Sequence, residues 1–200
     1  MLKEIRIAGF GGQGVILAAH ILGRAAALHE GGYATMTQNY GPEARGGAAS
    51  AALVISDEPI LYPYLTQPDV LVAMSQEAYL RFTPELKDDG VLLLEEDLVH
   101  RGSLPSAMKV YGVPATRIAE ELGKKMVLNV VMVGFLCAVT GLVGRDACRK
   151  AVEESVPERF RRLNLDAFDR GWEHGREVLE RGPRDASNSV PDEEPIELES

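Results

Sequence analysis

The feature that most constrains this chain is a glycine-rich bend near its start. A short apolar strand, Glu4 to Ala8, runs into GFGGQG and then into the Ala/Leu/Ile-rich stretch VILAAHILGRAAALHEGG. Gly9, Gly11 and Gly14 satisfy G-x-G-x-x-G directly after a strand and at the opening of a helix. Glycine there tightens the turn and lets a ligand or a neighbouring backbone approach, while the helix start presents unpaired amide groups and the positive end of a dipole. The helix predicted behind the bend closes at Gly31 and Gly32, as a left-handed C-terminal stop requires.

The rest of the chain continues the alternation that such a bend begins. YATMTQ reads as a strand, NYGPEARGG as a loop and AASAALVIS as a further strand. DEPILYPYLTQP is a proline-punctuated connection, and DVLVAMS a continuous apolar run of strand length, as expected of a strand covered on both faces. QEAYLRFTPEL predicts a helix, GVLLLEE and MKVYGVP predict strands, and PATRIAEELG predicts a helix. This pattern implies an α/β fold, a mostly parallel sheet with flanking helices and a Rossmann-like first turn. From about residue 124 the chain reads as helical: KMVLNVVMVGFLCAVTGLVG, RDACRKAVEESVP and NLDAFDRGWEHGREVLERG. Met126–Val143 approaches the length of a membrane span, but Asn129, Gly134, Thr140 and Gly141 and the lack of an aromatic belt favour a buried central helix. Residues 1–182 therefore form the expected domain. Residues 183–200, where Arg184 is outweighed by Asp185, Asp192, Glu193, Glu194, Glu197 and Glu199, read as an acidic disordered tail.

Several chemistries are excluded or weakened. The net charge of −9 argues against a nucleic-acid partner. Charges at Lys3, Glu4 and Arg6 precede any apolar run, so the N-terminus is no secretory signal, and a cytoplasmic location is expected. Two cysteines, Cys137 and Cys148, are too few for an iron–sulfur cluster or a structural zinc. Cys137 in FLCAV reads as a core residue, and Cys148, although cations flank it in RDACRK, reads as an inert thiol rather than a redox one. His20, His29, His100 and His174 show no metal-ligand spacing, no G-x-S-x-G elbow occurs, and no residue is assigned a catalytic or metal-binding role. A phosphate loop would need Lys and Ser/Thr after the last glycine, where Val15 and Ile16 stand. A dinucleotide site expects an acid at the end of the second strand, which instead reads Met36, Thr37, Gln38, Asn39.

The candidate site combines two loops: Gly11, Gly12, Gln13 and Gly14 at the first bend, and Asn39, Tyr40, Gly41, Glu43, Arg45, Gly46 and Gly47 in the second. Arg45 beside two bare glycines suits a phosphate or carboxylate. Trp172 is expected to anchor the last helix.

GFGGQGV, NYGPEARGG, ISDEPILYP and QPDVLVAMS, in this order, resemble the γ subunit of the 2-oxoacid:ferredoxin oxidoreductases, as do VPATRIAEELG with Asn129 and Gly134, and NLDAFDRG. The resemblance spans nearly the whole chain apart from the tail. The Tyr-Gly-Pro-Glu and Arg-Gly-Gly version is most similar to the 2-oxoglutarate and branched-chain types. The resemblance implies a complex that oxidatively decarboxylates a 2-oxoacid to acyl-coenzyme A and reduces ferredoxin. It places thiamine diphosphate, Mg2+ and iron–sulfur clusters on α, β and, where present, δ partner subunits. For this chain it implies assembly and part of the coenzyme A entrance; beside it, the residues' own chemistry offers the Gln13 carboxamide to the pantetheine amides. Two other readings stand beside it: an NAD(P)-binding dehydrogenase, and a purely structural subunit.

Overall fold

Short β-branched and leucine-rich runs separated by helices build one sheet. A computed structural model of the chain describes residues 1–40 and 48–183. The strands are β1 (Leu2–Phe10), β2 (Tyr33–Tyr40), β3 (Ala48–Ser56), β4 (Val70–Ala73), β5 (Val91–Glu95) and β6 (Lys109–Val113), in the spatial order β2-β3-β1-β4-β5-β6. β1, β4, β5 and β6 pair in parallel, whereas β3 is antiparallel to both β1 and β2. Five strands thus run one way and only β3 is reversed. The mostly parallel sheet expected from the sequence is present, with a β2–β3 hairpin forming one margin.

The helices are α1 (Val15–Arg24), α2 (Gln76–Phe82), α3 (Ala115–Glu121), α4 (Leu128–Thr140), α5 (Arg145–Ser155) and α6 (Arg161–Arg181). α1 runs on into a π-helical turn, Ala25–His29, before stopping at Gly31, whose φ is 72°. Side-chain parity along the strands divides the core, because successive residues of a strand face opposite sides. Ile5, Ile7, Val70, Val72, Leu93 and Val113 face α1, α3, α4 and α6. Leu71, Ala73, Leu92, Leu94 and Val110 face α2. The continuous apolar runs are therefore covered on both faces, as read. Ser75 starts α2 by accepting a hydrogen bond from the Ala78 amide at 3.2 Å.

α4 is buried from Leu128 to Ala138. No helix among the described residues is long and apolar enough to cross a membrane. Instead α4 meets α6 backbone to backbone. A Cβ on Gly134 would lie 2.1 Å from the Phe168 carbonyl oxygen, and one on Gly171 would lie 2.0 Å from that of Val131. Trp172 stacks on Phe168 at 6.4 Å between ring centroids, with the Arg145 guanidinium 5.8 Å from its ring, so it does help seat α6.

The amino edge of the parallel strands is held by carboxylates. Buried Glu4 accepts hydrogen bonds from the Thr66 and Gln67 amides, both at 2.8 Å, which fixes the proline-rich connection. Asp69 accepts from the Glu4 amide at 2.9 Å and from the ammonium groups of Lys87 at 2.8 Å and Lys3 at 3.2 Å. A cleft of about 490 Å³ opens beside them, lined by Lys3, Asp69, Lys87, Lys109 and Thr140.

Candidate functional site: the glycine bend at the carboxyl edge

The bend is built from its backbone outward. Its turn is closed by the Gln13 amide, which donates to the Phe10 carbonyl at 3.1 Å. The Gln13 carboxamide then works twice: Oε1 accepts from the Phe10 amide at 2.6 Å, and Nε2 donates to the Met74 carbonyl at 2.9 Å. Gln13 thereby staples the bend to the end of β4. Gly9 leaves room for this arrangement, since a Cβ there would come within 2.4 Å of Gln13 Oε1.

Gly14 adopts a left-handed conformation, φ 76°, as the cap of α1. A Cβ on it would lie 2.4 Å from Asn129 Nδ2, the atom that donates to the Gly14 carbonyl at 3.2 Å. Gly12 is different. Its φ of 96° also calls for glycine, yet a Cβ there would meet nothing within 4 Å, and both Gly11 and Gly12 are exposed. α1 begins without a side-chain cap and with no acid in its first turn. The bend therefore presents a helix start and bare backbone outward, a combination suited to an anion or a closely approaching polypeptide. No residue from Phe10 to Val15 is titratable, so the bend itself supplies no acid, base or nucleophile.

The strands that flank the second loop end at the same edge as the bend. Register pairs Phe10 with Ala48 and Ala49 with Tyr40, so Ala48 starts β3 beside the glycine bend and Tyr40 ends β2 one strand further out. Asn39 and Tyr40, read as loop from the sequence, extend β2 as paired strand residues, because β3 reverses and its partner register continues to Ala49. Gly41, Glu43, Arg45, Gly46 and Gly47 lie outside the described residues, as does the acidic tail from residue 184.

The topology also bears on dinucleotide binding. In a dinucleotide-binding fold the strand bearing the ribose-binding acid lies directly beside the first strand. Here β3 intervenes, which puts the end of β2 roughly 10 Å from that of β1, about two strand spacings. The absent acid and the displaced strand disfavour that chemistry together.

One buried acid at this edge was not anticipated. Glu95 ends β5 fully buried; its Oε1 accepts from the Thr116 amide at 2.9 Å and so caps α3, while Oε2 has no partner. Burial pushes its carboxyl above the usual range, although the Thr116 amide and hydroxyl oppose the shift. Asn129 was also missed as part of the bend, although it stood out as an amide inside an otherwise apolar run and among the residues of the family resemblance. The histidines remain apart: His20 is exposed on α1, His29 pairs with Glu154 at 3.0 Å, and His174 contacts the Gly112 carbonyl at 3.2 Å. Cys148 is set apart from the cations that flank it in sequence. It is buried against Cys137, while Arg145 and Arg149 turn away to Asp169, at 3.0 and 3.2 Å.

Comparison with known proteins agrees with this architecture. Residues 4–174 match the family described as pyruvate ferredoxin/flavodoxin oxidoreductase. The 2-oxoglutarate synthase subunit KorC of Methanocaldococcus jannaschii is 48% identical over 180 residues, covering 89% of this chain and 96% of that protein. The γ subunit of a keto/oxoacid ferredoxin oxidoreductase from Geobacter sulfurreducens superposes with a TM-score of 0.79 at 40% identity, covering 88% of this chain and 97% of that one. The 2-oxoglutarate:ferredoxin oxidoreductase of Magnetococcus marinus, solved with 2-oxoglutarate, coenzyme A and succinyl-CoA, shares the fold at a TM-score of 0.81 and 22% identity. It covers 88% of this chain and 31% of that one. The chain belongs to the pyruvate ferredoxin/flavodoxin oxidoreductase family.

Proposed function

We propose that this chain is the γ-type subunit of a cytoplasmic 2-oxoglutarate synthase, a complex that converts 2-oxoglutarate and coenzyme A to succinyl-CoA and CO2 while reducing ferredoxin. The observation that carries this reading is the match, at 48% identity over 180 residues, to a subunit named for that activity. The decarboxylation chemistry belongs to partner chains. This chain's two cysteines are buried against each other, so they offer no thiolates to a cluster, and no group of His, Cys, Asp or Glu among the described residues is placed to hold a metal. Thiamine diphosphate, Mg2+ and the iron–sulfur clusters are assigned to the α, β and, where present, δ subunits, and ferredoxin docks on the complex.

The role assigned to this chain is to assemble with those subunits and to line the coenzyme A entrance. Coenzyme A carries a pyrophosphate and a 3′-phosphate, and the start of α1 with exposed Gly11 and Gly12 offers backbone amides to such an anion. Arg45, between β2 and β3 in sequence, supplies the matching cation. Gln13 has already committed both ends of its carboxamide within the chain, so it serves the entrance by holding the bend in shape.

That internal commitment also favours the structural alternative, in which the bend packs only on a neighbouring subunit. Coenzyme A titration of the anoxically purified complex separates the two. Arg45→Ala and Gly12→Ala are each expected to weaken coenzyme A about tenfold, the worth of roughly one charge-assisted contact. Unchanged affinity in both variants, with assembly intact, removes the loops from the entrance. If the chains that co-purify include no cysteine-rich, thiamine-binding partner, the assignment to this complex fails.

A further inference from the structure

Cys137 lies near the end of α4 and Cys148 in the first turn of α5, eleven residues apart, with their Sγ atoms separated by 2.6 Å. Both are completely buried. Each sulfur's hydrogen-bonding partner is the other, and the two arginines nearest Cys148 in sequence are engaged with Asp169. A lone buried thiol is an inert core residue, but two thiols placed face to face on separate helices are a dithiol from which a bond needs only a small side-chain adjustment.

We propose that Cys137 and Cys148 are a reversible thiol–disulfide site, taking a low-molecular-weight disulfide as oxidant and bolting α5 to α4. One cysteine thiolate attacks the small disulfide, forming a mixed disulfide and releasing one small thiolate. The second cysteine thiolate then attacks the protein sulfur of that mixed disulfide, closing Cys137–Cys148 and releasing the other. The protein loses two electrons and two protons, and the small disulfide is reduced to two thiols. Burial and the neighbouring sulfur hold the Cys137 thiol well above its ordinary range, so thiolate is scarce while the helices are docked. Exchange therefore proceeds through transient opening of α5, and a formed bond is shielded from reductants in the same way. The site acts independently of the coenzyme A reading.

The test uses the full chain, reduced and then freed of reductant. It is incubated with oxidised glutathione, with and without mild urea to open α5, then acid-quenched, unfolded, treated with N-ethylmaleimide and weighed intact. The expected result is a chain lighter by two hydrogens that takes no maleimide and retains no glutathione, and that takes two maleimides after reduction. Cys148→Ala is expected to trap glutathione on Cys137, since the resolving sulfur is gone. The oxidised chain is expected to melt about 5–10 °C above the reduced one, a difference that Cys137→Ala abolishes. Two maleimides on the wild-type chain after exchange in urea would overturn the proposal. So would stable glutathione on both cysteines, or a bonded pair with an unchanged melting temperature.

Discussion

Glycine does opposite work in two regions of this molecule. Between α4 and α6, Gly134 and Gly171 are glycines because the facing helix's own carbonyl oxygen occupies the space a side chain would need. At Gly12 the space is empty and only the backbone angle calls for glycine. The first use is satisfied within the chain, and the second leaves a bare surface turned outward. Sequence alone shows the same residue in both places; the occupant of the missing side chain's volume distinguishes a packing glycine from an exposed conformational one.

Substitution can break that comparison or sharpen it. Gly171→Ala drives a methyl group into a backbone carbonyl that has nowhere to move, and is expected to lower stability by more than about 3 kcal/mol in chemical denaturation. A loss below about 1 kcal/mol would mean the two helices are free to separate. Gly14→Ala is expected to cost about 2–3 kcal/mol, from a left-handed backbone and a collision with Asn129. Because both causes act there, Gly14→Ala in an Asn129→Ala background should recover only the collision, so the two changes will be non-additive. Gly12→Ala is expected to cost about 1 kcal/mol, from the backbone alone. A larger loss in the isolated chain would show that the bend packs internally.

The carboxylates repeat the contrast between the two edges. At the amino edge Asp69 is fully engaged: burial opposes its charge, but the Glu4 amide and the Lys87 and Lys3 ammonium groups outweigh it and hold its carboxyl below the usual range. Its contribution is present above the unfolded value near about 3.9 and is lost as pH falls through the lower folded value. Asp69→Ala should cost about 1–2 kcal/mol at pH 7 and flatten the acid limb of the stability curve. Glu95 at the carboxyl edge has the opposite sign. Its raised folded value means that folding takes up a proton, so its stabilising share is complete below about 4.3 and declines as pH rises through the folded value. Glu95→Gln keeps an oxygen for the Thr116 amide and is expected to gain about 1 kcal/mol at pH 7 while removing that decline. A destabilised Gln variant would show that the charged form of Glu95 is favoured in the folded chain.

Much of the fold was legible in the sequence because the apolar runs, the glycine stops and the bend each have a local physical cause. The strands around Leu71 and Leu93 were identified from continuous burial, and the first turn from glycine spacing. The reversal of β3 was not legible, since the alternation in AASAALVIS marks a strand without giving its direction. Asn39 and Tyr40 looked like loop because Asn favours turns and the Gly41-Pro42 break follows directly, yet pairing with Ser50 and Ala49 carries the strand through both. The second half of the candidate site stays at the level of sequence, as 41–47 lie outside the described residues. The cysteine pair did leave a trace: Cys137 stands four residues before Gly141 and Cys148 four after Gly144, so a helical hairpin turning between those glycines brings them level. That symmetry is visible only once a hairpin is assumed.

The amino edge carries one more implication. The Met1 ammonium group pairs with Asp57 there, and Leu179, in the last turn of α6, lines the same cleft as Lys3. Both ends of the folded body thus emerge on the side away from Gly12. An affinity handle or a fluorophore fused at Met1 would leave the opposite rim unobstructed, so surface-tethered protein can present that rim to solution for binding measurements.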